Sequence, residues 1–184
     1  MTQSTNRSSD GFPAVAATPD LRTTLGRFAS GVVIVASRCE GRPVGLSVQS
    51  FASLSLDPAL VSLSVSVTST TWPSIVETGR FCASILAADQ GGICRRFATS
   101  GADKFAGVAH TPGPLTGCPR IDGALAWVEC GIAEVHRTGD HWLVVADVLG
   151  VEIEGDADLP LLFYRGEFAS LRPAALTCSQ PGRP

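Results

Sequence analysis

Apolar and polar positions change period several times along the chain, and the changes mark out its elements. Leu21, Leu25 and Phe28 recur at helical spacing behind Asp20, which predicts a short helix over 21–29, capped by Asp20 and broken by Gly31. Residues 32–36 form an unbroken, largely β-branched run and predict a buried strand. A turn at Glu40-Gly41 leads to a second strand, 44–48. Over 60–67 apolar residues alternate with serine, so one face belongs to a core. The other face is small and polar, suited to border a ligand or a subunit contact.

Trp72-Pro73 opens a helix to Thr78, with proline at a tolerated first-turn position. A strand over 81–86 and a helix over 89–97, capped by Asp89, follow. Three prolines and two glycines within 111–119 predict a loop. Two long strands, 125–136 and 141–152, are joined by Thr138-Gly139-Asp140, a hairpin signal. A closing pair, 161–164 and 167–171, surrounds Arg165-Gly166. About eight strands and three short helices favour a mainly β, closed antiparallel barrel with helices outside over an alternating parallel sheet. The folded unit spans 21–171, between an N-terminal tail (1–20) and a C-terminal tail (172–184) that lack periodicity.

Length, at 184 residues, agrees with one domain. The formal net charge of −3 offers no basic footprint for nucleic acid. Charged residues are only 17% of the chain, a reason to expect part of the surface to be covered in an oligomer. No apolar run approaches the ~20 residues of a membrane span and no secretory h-region follows Met1, so the expected compartment is the cytoplasm. Six cysteines, at 39, 82, 94, 118, 130 and 178, form no C-x-x-C and read as reduced, structural residues.

Motifs for phosphate loops, Rossmann dinucleotide sites, serine hydrolases and zinc proteases do not occur; Gly26 to Gly31 has phosphate-loop glycine spacing, but Val32-Val33 follows. Three scattered histidines (110, 136, 141) give a metal site or a triad little material. Chemistry is therefore expected from a bound cofactor rather than from an acid–base constellation.

Candidate binding residues concentrate in two places. Residues 45–58 place Ser47, Ser50, Ser53 and Ser55 among apolar neighbours, through a strand and its exit turn. Ser69-Thr70-Thr71 stands just before a helix, where free N–H groups and hydroxyls together suit an anion. The same residues also read as serine-rich strands and a hydroxyl cap, and the pattern alone does not choose.

The ordered motifs resemble the short-chain flavin reductases of the FMN-binding split-barrel fold, which include reductase components of two-component flavin-dependent monooxygenases. The resemblance rests on Gly26-Arg27-Phe28-Ala29-Ser30-Gly31-Val32, on residues 45–58 ending Ser55-Leu56-Asp57-Pro58, and on Ser69-x-Thr71. It continues through Phe81-Cys82-Ala83-Ser84-Ile85-Leu86, Asp103-Lys104-Phe105 and Gly139-Asp140-His141, and so covers about 21–171. It implies a closed antiparallel split β-barrel with a few flanking short helices. It implies an NAD(P)H:flavin oxidoreductase that passes a hydride from nicotinamide C4 to flavin N5, and a homodimer that supplies reduced flavin to a partner monooxygenase. FMN or FAD would be the flavin, with NADH or NADPH as cosubstrate.

Carried onto this chain, the resemblance sets Ser47, Val48, Gln49 and Ser50 along the isoalloxazine and ribityl portion. Ala52 and Ser53 fall near the reacting edge, and Ser55, Ser69 and Thr71 near the ribityl chain or phosphate. His141 orients the nicotinamide, and Phe105 and Tyr164 wall the pocket. Thr70 stands where many relatives carry Arg or Lys, so the phosphate needs another cation; Arg27, Arg95, Arg96 and Lys104, the lone lysine, are the candidates. A flavin- or haem-binding carrier or sensor without reductase activity is the alternative. Gly139-Asp140-His141 argues against it, since a pure binder needs no nicotinamide site. A pyridoxamine-phosphate oxidase relative would want an Arg/Lys cluster around 66–71, which the chain lacks.

Overall fold

The computed structural model describes residues 18–101, 103–154 and 159–171. The expected C-terminal tail, nearly all of the N-terminal tail and Cys178 lie outside the described residues.

Among the described residues there are three helices, α1 (Thr18–Leu25), α2 (Trp72–Thr78) and α3 (Gly91–Ala98). The strands are β1 (Ser30–Gly31), β2 (Val33–Cys39), β3 (Arg42–Val48), β4 (Ala52–Leu56), β5 (Ala59–Ser66) and β6 (Arg80–Ile85). They continue with β7 (His110–Pro112), β8 (Pro119–Ile121), β9 (Ala126–Thr138), β10 (His141–Ile153), β11 (Leu162–Tyr164) and β12 (Glu167–Ala169). The main sheet has seven strands in the order β3-β2-β6-β9-β10-β5-β4, every neighbouring pair antiparallel. Among the described residues no backbone ladder joins its two ends. The chain crosses between them at residues 49–51, where Ser50 Oγ donates to Ser64 O at 2.9 Å and accepts from Ser64 N at 2.8 Å.

The apolar run at β2 is continuous because both of its faces are buried. Val33 and Val35 enter a core with Leu63, Phe81, Val144 and the α2 residues Trp72 and Ile75. Val32, Ile34 and Ala36 enter a second core with Leu86, Phe97, Ile121 and Leu161, beneath α3 and β11. β5 keeps its period of two: Val61, Leu63 and Val65 are buried, and the intervening serines are half-buried.

Several boundaries differ from expectation. The first helix runs over Thr18–Leu25, so Asp20 lies inside it rather than capping it. Gly31 does not break a helix; it pairs with Leu162 in β1. The third helix starts at Gly91 with Gln90 at its cap position, and Gln90 Oε1 accepts from Ala87 N instead. Asp89 is therefore not the cap. The proline-rich loop holds strands at both ends, β7 and β8, paired as a small ribbon. The stretch read as an exit turn carries a true strand, β4, on the sheet edge.

All three predicted turns are present. Glu40 and Gly41 take positive φ (48° and 77°), as do Arg165 and Gly166 (55° and 87°). Gly139 (φ 65°) and Asp140 form the two-residue link between β9 and β10.

Candidate functional site

A cavity of about 450 Å³ opens where the ends of β3 and β5 meet the 68–71 loop and α3. Its apolar wall includes Val32, Leu46, Val48, Val65 and Phe97. Its polar lining includes nine serine and threonine side chains and, among the described residues, one cation, Lys104, and no carboxylate.

The register explains the assembly. β5 presents Ser64 and Ser66 on its polar face, and Ser66 pairs with His141 at the start of β10. Val67 N donates to Asp140 O at 3.0 Å, which seats the β9–β10 turn beside the cavity. The His141 imidazole is exposed at the rim, with Nδ1 2.8 Å from Asp140 Oδ1. That hydrogen bond holds the Asp140 carboxyl below its ordinary range.

At the opposite end, Lys104 Nζ donates to Thr71 Oγ1 and to Gly45 O, each at 3.1 Å. Burial alone depresses its pKa; no carboxylate forms an ion pair with it among the described residues. Gly45 has room for no side chain: a Cβ there would lie 2.8 Å from Phe97 Cε1 and 3.1 Å from Val35 O. The start of α2 contributes less than expected. Trp72 N is taken by Ser69 Oγ at 3.2 Å, and Pro73 has no N–H.

Of the sequence candidates, Ser47, Val48, Gln49, Ser50, Ser69, Thr71, Lys104 and His141 come together around this cavity. Ala52, Ser53 and Ser55 do not line it, because they lie on β4, whose alignment with β5 carries them along the sheet edge. Phe105 is buried in the second core, edge-on to Phe97 at 4.9 Å, so it supports the wall from behind. Tyr164 sits on β11, away from the cavity.

Of the cation candidates, only Lys104 lines the cavity. Arg95 stacks over Phe168 at 4.8 Å, Arg96 donates to Ala106 O, and Arg27 lies outside.

Sequence reasoning assigned no site role to Thr68, Ser100, Cys94 or Phe97, all of which line the cavity. Thr68 extends the hydroxyl-rich run before α2, and that composition was a usable signal. Cys94 and Phe97 are three apart on α3, and only the docking of α3 against β3 turns them inward. Burial raises the Cys94 thiol pKa, against the lowering effects of the Ser47 hydroxyl and Arg95. Cys82 and Cys130, buried in the core, are pushed up to about 12, chiefly by desolvation. Thiols held in that state are poor nucleophiles, which agrees with structural cysteines.

Comparisons with known proteins agree on one family. The model described as "Flavin reductase like domain" matches residues 25–172. The reductase subunit HsaB of a flavin-dependent monooxygenase from Rhodococcus jostii (strain RHA1) is 43% identical over 152 residues, covering 83% of this chain and 77% of that protein. The crystal structure of nitrilotriacetate monooxygenase component B from Mycobacterium thermoresistibile is similar with a TM-score of 0.84 at 41% identity, covering 89% and 92% of the two chains. Streptomyces globisporus C-1027 NADH:FAD oxidoreductase SgcE6, in complex with NAD and FAD fragments, is similar with a TM-score of 0.80 at 32% identity, covering 85% and 94%.

Proposed function

This chain belongs to the flavin reductase-like domain family, and from that premise we infer that it is an NAD(P)H:flavin oxidoreductase delivering reduced flavin to a partner monooxygenase. The cavity lining fits a flavin nucleotide in three respects. Apolar side chains suit a planar ring, hydroxyls suit a polyol, and a lone ammonium suits a phosphate. The observation that carries the reading is Lys104: a half-buried ammonium held by two neutral oxygens, in a lining without a carboxylate.

When bound, the flavin accepts at N5 the hydride that reduced nicotinamide releases from C4. The chain's residues need supply no acid or base for that transfer; they hold and orient. Lys104, Thr71 and Ser69 would hold the phosphate. Ser47, Gln49 and Ser50 would hydrogen-bond the ring and ribityl chain, with Val48 against the ring. His141, at the exposed rim, would orient the nicotinamide. Ala52, Ser53 and Ser55 take part only if the bound flavin extends past the corner at 49–51.

The closed split barrel belongs to the same proposal, with Ser50 bridging to Ser64 as its seam. A homodimer is supported by apolar side chains exposed on β10, with Val151 at 71% and Ile153 at 75% accessibility. Among the described residues no helix is long and apolar enough to cross a membrane; a cytoplasmic location is proposed with the rest.

The test is turnover. Purified protein with NADH or NADPH and excess FMN, FAD or riboflavin should oxidise the nicotinamide at a rate that saturates in flavin. Tight flavin binding without turnover for any pair would return the chain to the carrier reading.

A further inference from the structure

Lys104, the one lysine of the chain, is half-buried in the cavity lining. Its two hydrogen-bond partners among the described residues, Gly45 O and Thr71 Oγ1, both accept from Nζ. A lysine ammonium has three N–H donors, so one position on Nζ is left without a partner there. No carboxylate forms an ion pair that would keep the proton in place among the described residues. Burial lowers the pKa, so the neutral amine is a larger fraction near neutral pH than at an exposed lysine. In that form two N–H groups serve Gly45 O and Thr71 Oγ1, and the lone pair takes the remaining position. Hydroxyls stand beside it. Thr71 Oγ1 accepts from Lys104 Nζ at 3.1 Å and Ser69 Oγ accepts from Trp72 N at 3.2 Å, which leaves the hydrogen of each hydroxyl free to donate to a phosphate.

From this arrangement we propose that Lys104 is a modification site, acylated by small acyl phosphates that enter the cavity in place of a flavin, and that acylation switches off the binding of flavin phosphates. The switch rests on the reductase reading; the acylation does not. The Nζ lone pair attacks the carbonyl carbon, an N–C bond forms, and the C–O bond to the phosphate breaks. The electron pair of that bond leaves with the phosphate, which takes up the amine proton and departs as hydrogen phosphate. No base is required of the chain, in agreement with a lining that holds no carboxylate among the described residues. The leaving group selects this class of reagent. Its phosphate suits the 69–71 hydroxyls, and its carbonyl carbon is one oxygen from the phosphorus. A phosphate seated on the Thr71 hydroxyl therefore brings that carbon to the amine beside it. The product amide has no charge and a single N–H, so the cation of the cavity is lost.

The test incubates the full chain, free of flavin, with acetyl phosphate beside an unstructured peptide containing one lysine, and follows acetylation by peptide mass. Lys104 should react several-fold faster than the peptide lysine, at a rate that saturates in acetyl phosphate. Inorganic phosphate and FMN should each slow it, and unfolding the chain in urea should remove its advantage. With N-hydroxysuccinimidyl acetate, which carries no phosphate, saturation and competition by phosphate should both be absent. After acetylation Kd for FMN should rise about tenfold, and Kd for riboflavin should hold. Lys104→Arg given the same treatment should keep its own FMN affinity. A rate no faster than that of the peptide lysine overturns the proposal, as does a rate that neither saturates nor responds to phosphate. An unchanged Kd for FMN after acetylation overturns the switch. Failure of the flavin reading shows separately: FMN would neither bind nor protect Lys104 while inorganic phosphate still did, and the switch alone would fall.

Discussion

Lys104 Nζ lies 3.1 Å from Thr71 Oγ1, a pairing across 33 residues that joins the one lysine of the chain to the hydroxyl-rich loop before α2. In the proposed flavin site this contact would let a different segment supply the cation that threonine at position 70 does not. Lys104→Met removes the charge while keeping much of the stem. A hydrogen bond to a charged group contributes about 1.5–3 kcal/mol, so Kd for FMN should rise roughly tenfold to a hundredfold. Riboflavin, which has no phosphate, should bind as before. Fluorescence titration of both flavins checks this, and equal losses would remove Lys104 from the phosphate.

The same lysine sets a pH dependence. Burial lowers its pKa, so it loses its proton at a lower pH than an exposed lysine does. In the proposed site the charged form would bind the phosphate, and a bound dianion would pull the pKa back up. Binding therefore takes up a proton in the alkaline range, and FMN affinity should fall as pH rises toward the ordinary lysine range. Riboflavin affinity should stay level over the same interval. Parallel titrations from neutral to alkaline pH, with Lys104→Met as a flat control, decide the matter.

Much of this was legible because local chemistry and packing agree. The Ser-apolar alternation of β5, Pro73 at the start of α2 and the Gly139-Asp140 link all kept their predicted forms. The misses share a cause. Asp20 and Asp89 look like caps, but Gln90 is drawn to Ala87 N and Asp122 O by tertiary contacts. β4 reads as a turn because its exposed residues show no buried face, yet β5 pairs with it along the edge. Phe105 was expected in the pocket wall and lies behind it, since an aromatic beside a site motif carries no mark of which side of Phe97 it occupies.

His141 stands at the rim of the cavity, exposed and bonded to Asp140. His141→Ala should raise KM for NADH or NADPH several-fold and leave Kd for FMN near its original value. Steady-state kinetics at saturating flavin, beside a flavin titration, separates the two quantities. An unchanged nicotinamide KM would reduce His141 to a turn residue.

At the corner before β4, the Ser50 side chain continues the β4–β5 register, donating to Ser64 O and accepting from Ser64 N. Ser50→Ala leaves both groups to water, since the pair is exposed. The cost should be about 0.5–1.5 kcal/mol, read as a lower denaturant midpoint with an unchanged slope. A change in slope would instead mean that this corner controls the compactness of one of the end states.

Outside the cavity that Lys104 lines, Glu129 carries a sharper stability test. Its carboxylate is only 4% exposed and accepts from Thr116 Oγ1 at 2.6 Å, Thr116 N at 2.7 Å and Leu115 N at 3.2 Å. The 113–118 loop is thereby held on β9. A Cβ on Gly113 would lie 2.5 Å from Glu129 Oε2 and 2.7 Å from its Cδ. A carboxylate free to swing would move aside, but three donors hold this one. Gly113→Ala should therefore destabilise the fold by about 1–3 kcal/mol, the usual range for overpacking. Glu129→Ala should also destabilise, because it strands buried donors. Together the two should cost less than their sum, since removal of the carboxylate opens the space the new methyl group needs. Denaturant unfolding of the four proteins gives the coupling directly. Additivity within about 0.5 kcal/mol would mean that the loop, and not the carboxylate, gives way.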